Sequence, residues 1–313
     1  MSDMAILRQL PATPPSSVRL RVFPFFLTMK ETLKRFPLLR QLLSMRSDLL
    51  LTRASAEAQL RVQKEQFTLS LLAQPRYSDP KRLNRYEAQV YSQNGEDGII
   101  AEIFSRIGTT NRVFVEVGAG DGTENNSVYL LVKGWSGFWF DGDEANLISM
   151  HQHFAKPLAA KRLLVAREFL TAENALDTLR KHGVPNEFDL FSLDVDRNTS
   201  WIWRGLKELR PRVVVVEYNA HIPPQDAWEI HYAAEKTWDG TLMYGAGLLR
   251  FEQIGSELGY SLVGCDVSGS NAFFVRRDLV SEKFCSPFTA ANHYEPIRLF
   301  LGRRWGHRRG FEF

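Results

Sequence analysis

Residues 113–123, Val-Phe-Val-Glu-Val-Gly-Ala-Gly-Asp-Gly-Thr, constrain the fold of this chain more tightly than any other stretch. Four apolar residues around Glu116 read as a short buried strand. The glycines that follow, Gly118, Gly120 and Gly122, let the backbone turn sharply and approach a ligand closely. Asp121, Thr123, Asn125 and Asn126 are placed to cap the free N–H groups of a following helix. Strand, glycine turn and helix start form the first half of a nucleotide-type crevice in an open α/β sheet. The spacing is Glu-x-Gly-x-Gly-x-Gly, which differs from the fingerprint that seats a pyrophosphate on a helix start. A ligand without pyrophosphate and with a cationic amino-acid end is expected, with Glu116 and Asp121 as its neighbours.

From about residue 90 strand-like and helix-like segments alternate, which implies a parallel sheet with helices on both faces. The pattern predicts strands at 113–117, 137–141, 163–166, 189–194 and 212–217. Residues 213–216, four valines, suit a strand covered on both faces. Residues 260–265 and 271–275 flank Ser268-Gly269-Ser270 and read as a hairpin. Asn94, with Asp97 three positions on, is expected to cap a helix that carries Ile99, Ile100, Ile103 and Phe104.

Three further segments accompany the glycine turn: Ser92-Gln93-Asn94-Gly95-Glu96-Asp97, Gly134-Trp135-Ser136-Gly137 and Leu193-Asp194-Val195-Asp196. With these four motifs in order, the sequence resembles the class I S-adenosylmethionine-dependent methyltransferases, and within them the FkbM-like branch. The resemblance covers residues 90–280 or so. It implies an α/β fold, the Rossmann-like seven-stranded methyltransferase sheet with helices on both faces, whose last strand pair includes an antiparallel strand. Residues 81–313 would form that domain and residues 1–80 an N-terminal helical extension. The implied cofactor is S-adenosylmethionine, and the implied reaction is transfer of its methyl group to a hydroxyl of a carbohydrate or other secondary metabolite.

On this reading Glu116, Gly118, Gly120 and Asp121 hold the cofactor. Asp141 ends the second strand about 20 residues beyond the first glycine, where an acid accepts hydrogen bonds from both ribose hydroxyls. Asp143 is the fallback for that role. Glu168 and Phe169 follow the third strand, where adenine would lie. Asp194 and Asp196 end the fourth strand, and Glu217, Asn219 and His221 end the fifth. Ligands lie beyond the carboxyl ends of strands in such sheets, so these two loops should face each other. Asp194 would border the cofactor's sulfonium. His221, or in competition with it Asp196, would take the acceptor's proton. Asp194, Glu217 and Asn219 resemble the ligand set of catechol-type metal-dependent O-methyltransferases, which suits Mg²⁺ or Mn²⁺. In that set the last two ligands are adjacent, whereas Tyr218 separates them here.

The long connection from 220 to 245 carries Trp228 and Trp238 and is too aromatic for a disordered loop. With Trp201 and Trp203 it is expected to stack on an organic acceptor, a small molecule or a glycan. Two alternatives are a dehydrogenase or epimerase using NAD(P), which needs a Gly-x-Gly-x-x-Gly turn, and a non-catalytic binding module on the same scaffold.

Composition adds bounds. A net charge of +3 gives no argument for nucleic acid. Two cysteines, Cys265 and Cys285, make no disulfide framework and suit a reducing, cytoplasmic setting. Residues 1–17, rich in proline and serine, read as disordered, and 75–80 as a linker. Residues 18–53 are apolar and basic, with Pro24 and Pro37 expected to break them into short helices before a further amphipathic helix at 54–74. This segment and the basic stretch 303–309 admit three readings: peripheral membrane contact, a surface for a homo-oligomer, or a helical cap on the sheet.

Overall fold

The computed structural model describes residues 37–302, 310, 311 and 313, leaving aside the side chains of 39 and 40. The expectations for residues 1–36 and 303–309 lie outside the described residues. The chain divides between Phe67 and Thr68 into two units, earlier than the expected boundary near residue 80.

The first unit holds most of α1, Pro37–Leu72, one helix of 36 residues where two or more were expected. Pro37 does not break it, because a proline in the first turn has no intrahelical N–H to lose. The segment 75–80 is not an extended linker either. Residues 75–77 form a 3-10 turn, and the Tyr77 hydroxyl donates to both oxygens of the buried Glu295 carboxylate at 2.9 and 3.0 Å.

The second unit starts at Thr68 and includes this turn, and its first complete helix is α2, Glu96–Ile107. Its cap is Gly95, at φ +109°, and not Asn94. Asp97 instead reaches back to accept the N–H groups of Val90, Tyr91 and Ser92 at 2.6–2.8 Å. Strands and helices then follow in order: β1 Val113–Val117, α3 Val128–Val132, β2 Ser136–Asp141, α4 Glu144–His153, α5 Ala155–Ala159 and β3 Leu163–Arg167. The second half adds α6 Ala175–Lys181, β4 Leu190–Leu193, α7 Thr199–Gly205, β5 Val213–Glu217, α8 Leu248–Glu257, β6 Tyr260–Cys265 and β7 Asn271–Arg276. Two short helices, α9 Arg277–Val280 and α10 Ala290–His293, follow, and a 3-10 turn at Leu299–Leu301 comes after them.

The seven strands form one sheet in the order β3-β2-β1-β4-β5-β7-β6, with β7 antiparallel to both its neighbours. This is the seven-stranded, Rossmann-like methyltransferase sheet. Side chains alternate between its faces, as the pleat requires. Val115, Val117, Val214 and Val216 pack with the apolar sides of α6, α7 and α8. Phe114, Val213 and Val215 pack with α2 and α3 on the other face. The predicted strands differ from these by one residue at some ends, as fraying ends do.

The chain builds outward from β1 to β3 and then returns to place β4 on the other side of β1. That reversal opens a crevice at the carboxyl ends of β1 and β4, the ligand position in doubly wound sheets. The opposite end of the same strand pair is locked by Asp189, which is fully buried. Its carboxylate accepts the N–H groups of Thr110, Asn111 and Arg112 at 2.7–3.1 Å and lies 3.2 Å from the Arg212 guanidinium. Replacing Asp189 by alanine leaves three N–H groups without a partner and removes the counter-charge of the mostly buried Arg212. The expected loss is about 3–5 kcal/mol in urea denaturation, and a loss below 1 kcal/mol would show that the lock is not needed.

Candidate functional site

The first glycine of the turn is dictated by the neighbouring strand. Gly118 has φ +78°, and a Cβ there would lie 1.5 Å from the carbonyl oxygen of Asp194. The Gly118 and Ala119 N–H groups donate to the Phe140 carbonyl at 2.9 and 3.2 Å, and the Gly120 N–H donates to Asp141 Oδ2 at 2.8 Å. The turn is thus tied to the ends of β2 and β4 together. Gly120, at φ +57°, has open space where its Cβ would point.

Two cavities open around this turn and share Gly118, Gly120 and Asp194. The first, about 370 Å³, is polar and is lined among others by Gln93, Glu96, Asp121, Glu124 and Asn125. The second, about 580 Å³, runs past Asp141, Phe169, Asp196 and Asn198 to Lys236 and Thr237. Five carboxylates line each, and Lys236 is the one basic side chain in either lining.

Among the described residues, Asp194, Asp196 and Glu217 bring carboxylate oxygens within 4.8 Å of one another. Asp194 and Asp196 open onto the cleft, yet the surrounding protein still strips much of their water. That burial, with the Asp196 charge second, lifts the Asp194 carboxyl to about 6. Burial also lifts Asp196, and burial followed by the charges of Asp194 and Asp196 pushes Glu217 well above the usual carboxylate range. Glu217 and Asp194 share a side-chain hydrogen bond, while the buried Oε2 of Glu217 has no hydrogen-bond partner. Asp196 stands at φ +56°, a conformation costing about 1 kcal/mol outside glycine but tolerated best by Asp and Asn.

The structure distributes the sequence-derived residues unevenly. Asn219 is no candidate metal ligand: its amide donates to the carbonyls of Leu242 and Tyr244 at 2.8 and 2.9 Å, and its oxygen accepts the His221 N–H. Asp196 takes its place in the acidic group. His221 is exposed and lines neither cavity.

Glu116 lines the first cavity, but its carboxylate accepts the Asn126 and Ser127 N–H groups at 2.9 and 3.1 Å and the Ser127 hydroxyl. It does the capping before α3 that was assigned to the side chains of 121–126, and burial raises its carboxyl to about 7. Asp121 closes a local turn, accepting the Thr123 N–H and hydroxyl at 2.8 and 2.6 Å. Asp141 accepts the N–H groups of Gly120 and Asp143 and the Asn146 amide. Of roughly four lone-pair sites on a carboxylate, one is left, too few for both ribose hydroxyls. Asp143 caps α4 by accepting the Ala145 N–H at 2.8 Å. Glu168 is engaged by His182 at 2.7 Å, whereas Phe169 stays 47% exposed at the second cavity.

The tryptophans also divide. Trp203 is core, tilted on Phe274 at 5.0 Å, and Trp201 donates to the Ile230 carbonyl beneath the Arg204 guanidinium. Trp238 is 50% exposed near the tip of the connection between β5 and α8, and Trp228 is half-buried at its base. This connection carries Lys236 and Thr237 into the second cavity, a role the aromatic pattern did not signal. Glu96 was also missed. It lines the first cavity, 1% exposed, accepting from Asn94 and from the Asn271 amide at 2.8 Å. The 92–97 motif contains it, but the spacing of Asn94 and Asp97 signals a helix cap and not a cavity wall.

No protein-family model matches the chain, and no curated protein matches it. Among solved structures it is similar to the methyltransferase domain of a bacterial Hen1, at 14% identity and TM-score 0.37 over 57% of this chain and 95% of that one. It is also similar to the O-methyltransferase NcsB1 from neocarzinostatin biosynthesis, in complex with S-adenosyl-L-homocysteine and 1,4-dihydroxy-2-naphthoic acid. The identity there is 16% and the TM-score 0.35, over 57% of this chain and 52% of that one. An O-methyltransferase family protein from Burkholderia thailandensis gives 9% identity and TM-score 0.38 over 58% of each chain. The chain thus spans little more than half the length of the last two. Likenesses of this size say nothing of activity, and the fold rests on the strand order itself.

The acidic group has a measurable consequence for stability. In the unfolded chain these carboxyls titrate near 4, whereas in the fold Asp194 titrates at about 6 and burial holds Glu217 well above the usual carboxylate range. The folded protein holds protons that the unfolded chain has released, so this stabilisation is complete below about pH 4 and is lost as pH rises through the folded values. With a chelator present, the Tm should fall between pH 5 and 8, and Glu217→Gln should raise it at pH 8. Glu116 and Asp266, both raised to about 7, shift the wild type the same way, so the variant isolates Glu217. An equal loss of Tm by Glu217→Gln at both pH values would place the strain elsewhere.

Proposed function

We propose that the protein is an S-adenosylmethionine-dependent O-methyltransferase of the FkbM-like branch. Its acceptor would be a hydroxyl of a carbohydrate or other secondary metabolite, and its setting the cytoplasm, where Cys265 and Cys285 are both free and buried. The supporting observation is the pair of cavities that share Gly118, Gly120 and Asp194 at the crevice between β1 and β4. The donor set fits the cofactor. Open space at the Gly120 Cβ position leaves room along the turn. The acids Glu96, Asp121 and Glu124 suit an ammonium in the first cavity, and Asp141 retains one lone-pair site for a ribose hydroxyl in the second. Phe169 offers an exposed ring for a base.

When bound, S-adenosylmethionine supplies a methyl group on a sulfonium cation. The chain's own task is to align an acceptor oxygen with that group and to exclude water. Asp194 borders the cation, and Asp196 accepts the proton from the acceptor hydroxyl. Trp238 and the rest of the connection before α8 cover the acceptor side, and a homo-oligomer is compatible with this arrangement. A nicotinamide enzyme is disfavoured by residues 118–123, Gly-Ala-Gly-Asp-Gly-Thr, which lack the third glycine at its required place. A non-catalytic module has no need of three strained carboxylates at the crevice.

Titration calorimetry is the first test. S-adenosylhomocysteine should bind and NAD should not, and Asp141→Ala should weaken binding by about 1.5–3 kcal/mol. Binding of NAD alone would overturn the proposal.

The approach of Asp194, Asp196 and Glu217 favours a second reading of the proton step, in which a divalent cation assists it. Hard oxygen ligands suit Mg²⁺ or Mn²⁺. On that reading methyl transfer stops with a chelator and returns with either ion. Full turnover after exhaustive chelation would leave Asp196 as the base, with no metal.

A further inference from the structure

We infer that the amino-terminal half of α1 is a docking surface for an anionic membrane, lying along the lipid–water boundary. Leu38, Leu42, Leu43, Met45, Leu49 and Leu50 are each 45–76% exposed. Successive residues turn by about 100°, which gathers these six into one arc of roughly 160°. Gln41, Ser44, Ser47 and Asp48 fall on the other side, with Leu51 the exception. Arg46 and Arg53 lie within the apolar arc, where long stems can cover hydrocarbon; the Arg46 guanidinium can reach the headgroups, and that of Arg53 does so in exchange for its 2.9 Å ion pair with Glu57.

Beyond Arg53 the pattern dissolves: Leu60 and Val62 point to different sides among Glu57, Arg61, Lys64 and Glu65. The apolar face therefore belongs to one half of the helix, although the helix itself runs on to Leu72.

Charge selects the occupant. Residues 18–53 carry eight basic side chains against two acidic ones. A second copy would set Arg46 and Arg53 against like charges on the same face. A bilayer surface rich in anionic lipid offers an apolar boundary and the opposite charge together. No helix among the described residues is long and apolar enough to cross a membrane, which leaves the boundary as its place.

The experiment uses the full chain and co-sedimentation with two kinds of vesicle, phosphatidylcholine alone and phosphatidylcholine mixed with phosphatidylglycerol. Binding to the mixed vesicles should be stronger by at least about tenfold and should decline with added salt. The double variant Leu42→Glu, Leu49→Glu should lose this binding with an unchanged Tm. Should that variant fail to fold, Arg46→Gln with Arg53→Gln should still weaken binding several-fold, by roughly the contribution of two basic residues. Equal recovery on both vesicles, or none on either, would overturn the inference. So would a wild-type dimer in analytical ultracentrifugation that the leucine variant splits while vesicles capture nothing, an outcome that assigns the face to a second copy.

Discussion

The approach of the Gly118 backbone to the Asp194 carbonyl is the contact on which the rest of the crevice depends. Only a hydrogen atom fits between the ends of β1 and β4 there, since a Cβ would sit 1.5 Å from the carbonyl oxygen. That closeness turns the chain back over the sheet and lets the Gly120 N–H reach Asp141 on β2. It also brings Asp194 to the boundary of both cavities. A side chain at 118 would act by pushing two strands apart, before it could obstruct any ligand.

The same crowding sets the electrostatics. Asp194, Asp196 and Glu217 are held close enough that they cannot all ionise freely in a cleft that withholds water. Folding does not gain from this arrangement, because each acid would be better solvated in the unfolded chain. Strain of this kind is commonly kept where a bound group relieves it. A sulfonium, an ammonium or a divalent cation would each do so, and the near absence of basic side chains in the cavity linings leaves that charge to the ligand.

Much of this was legible in the sequence, for local reasons. Short apolar runs between glycines and polar loops marked the strands, and the all-valine run at 213–216 marked the most buried one. The spacing from Gly118 to Asp141 placed the acid at the end of β2 because strand and helix lengths in such units vary little. What escaped depends on geometry beyond the strand ends. Alternation of side chains stops after Leu193 and Glu217, so pattern could not decide between Asp196 and Asn219. A left-handed turn at Asp196 brings its carboxylate into the group, while Asn219 spends its amide on the returning connection. Glu116 and Asp141 looked like ligands from their positions, yet both first satisfy backbone N–H groups of the loops they support. Pro37 looked like a break because its place as the first residue of α1 is not visible until the helix is seen.

The most direct measurement is ultraviolet crosslinking of methyl-labelled S-adenosylmethionine followed by peptide mapping. Label on the peptide that carries Phe169, displaced by S-adenosylhomocysteine and not by NAD, is the expected result. Label confined to peptides away from the two cavities, or displaced equally by NAD, would contradict a cofactor site at the junction of β1 and β4.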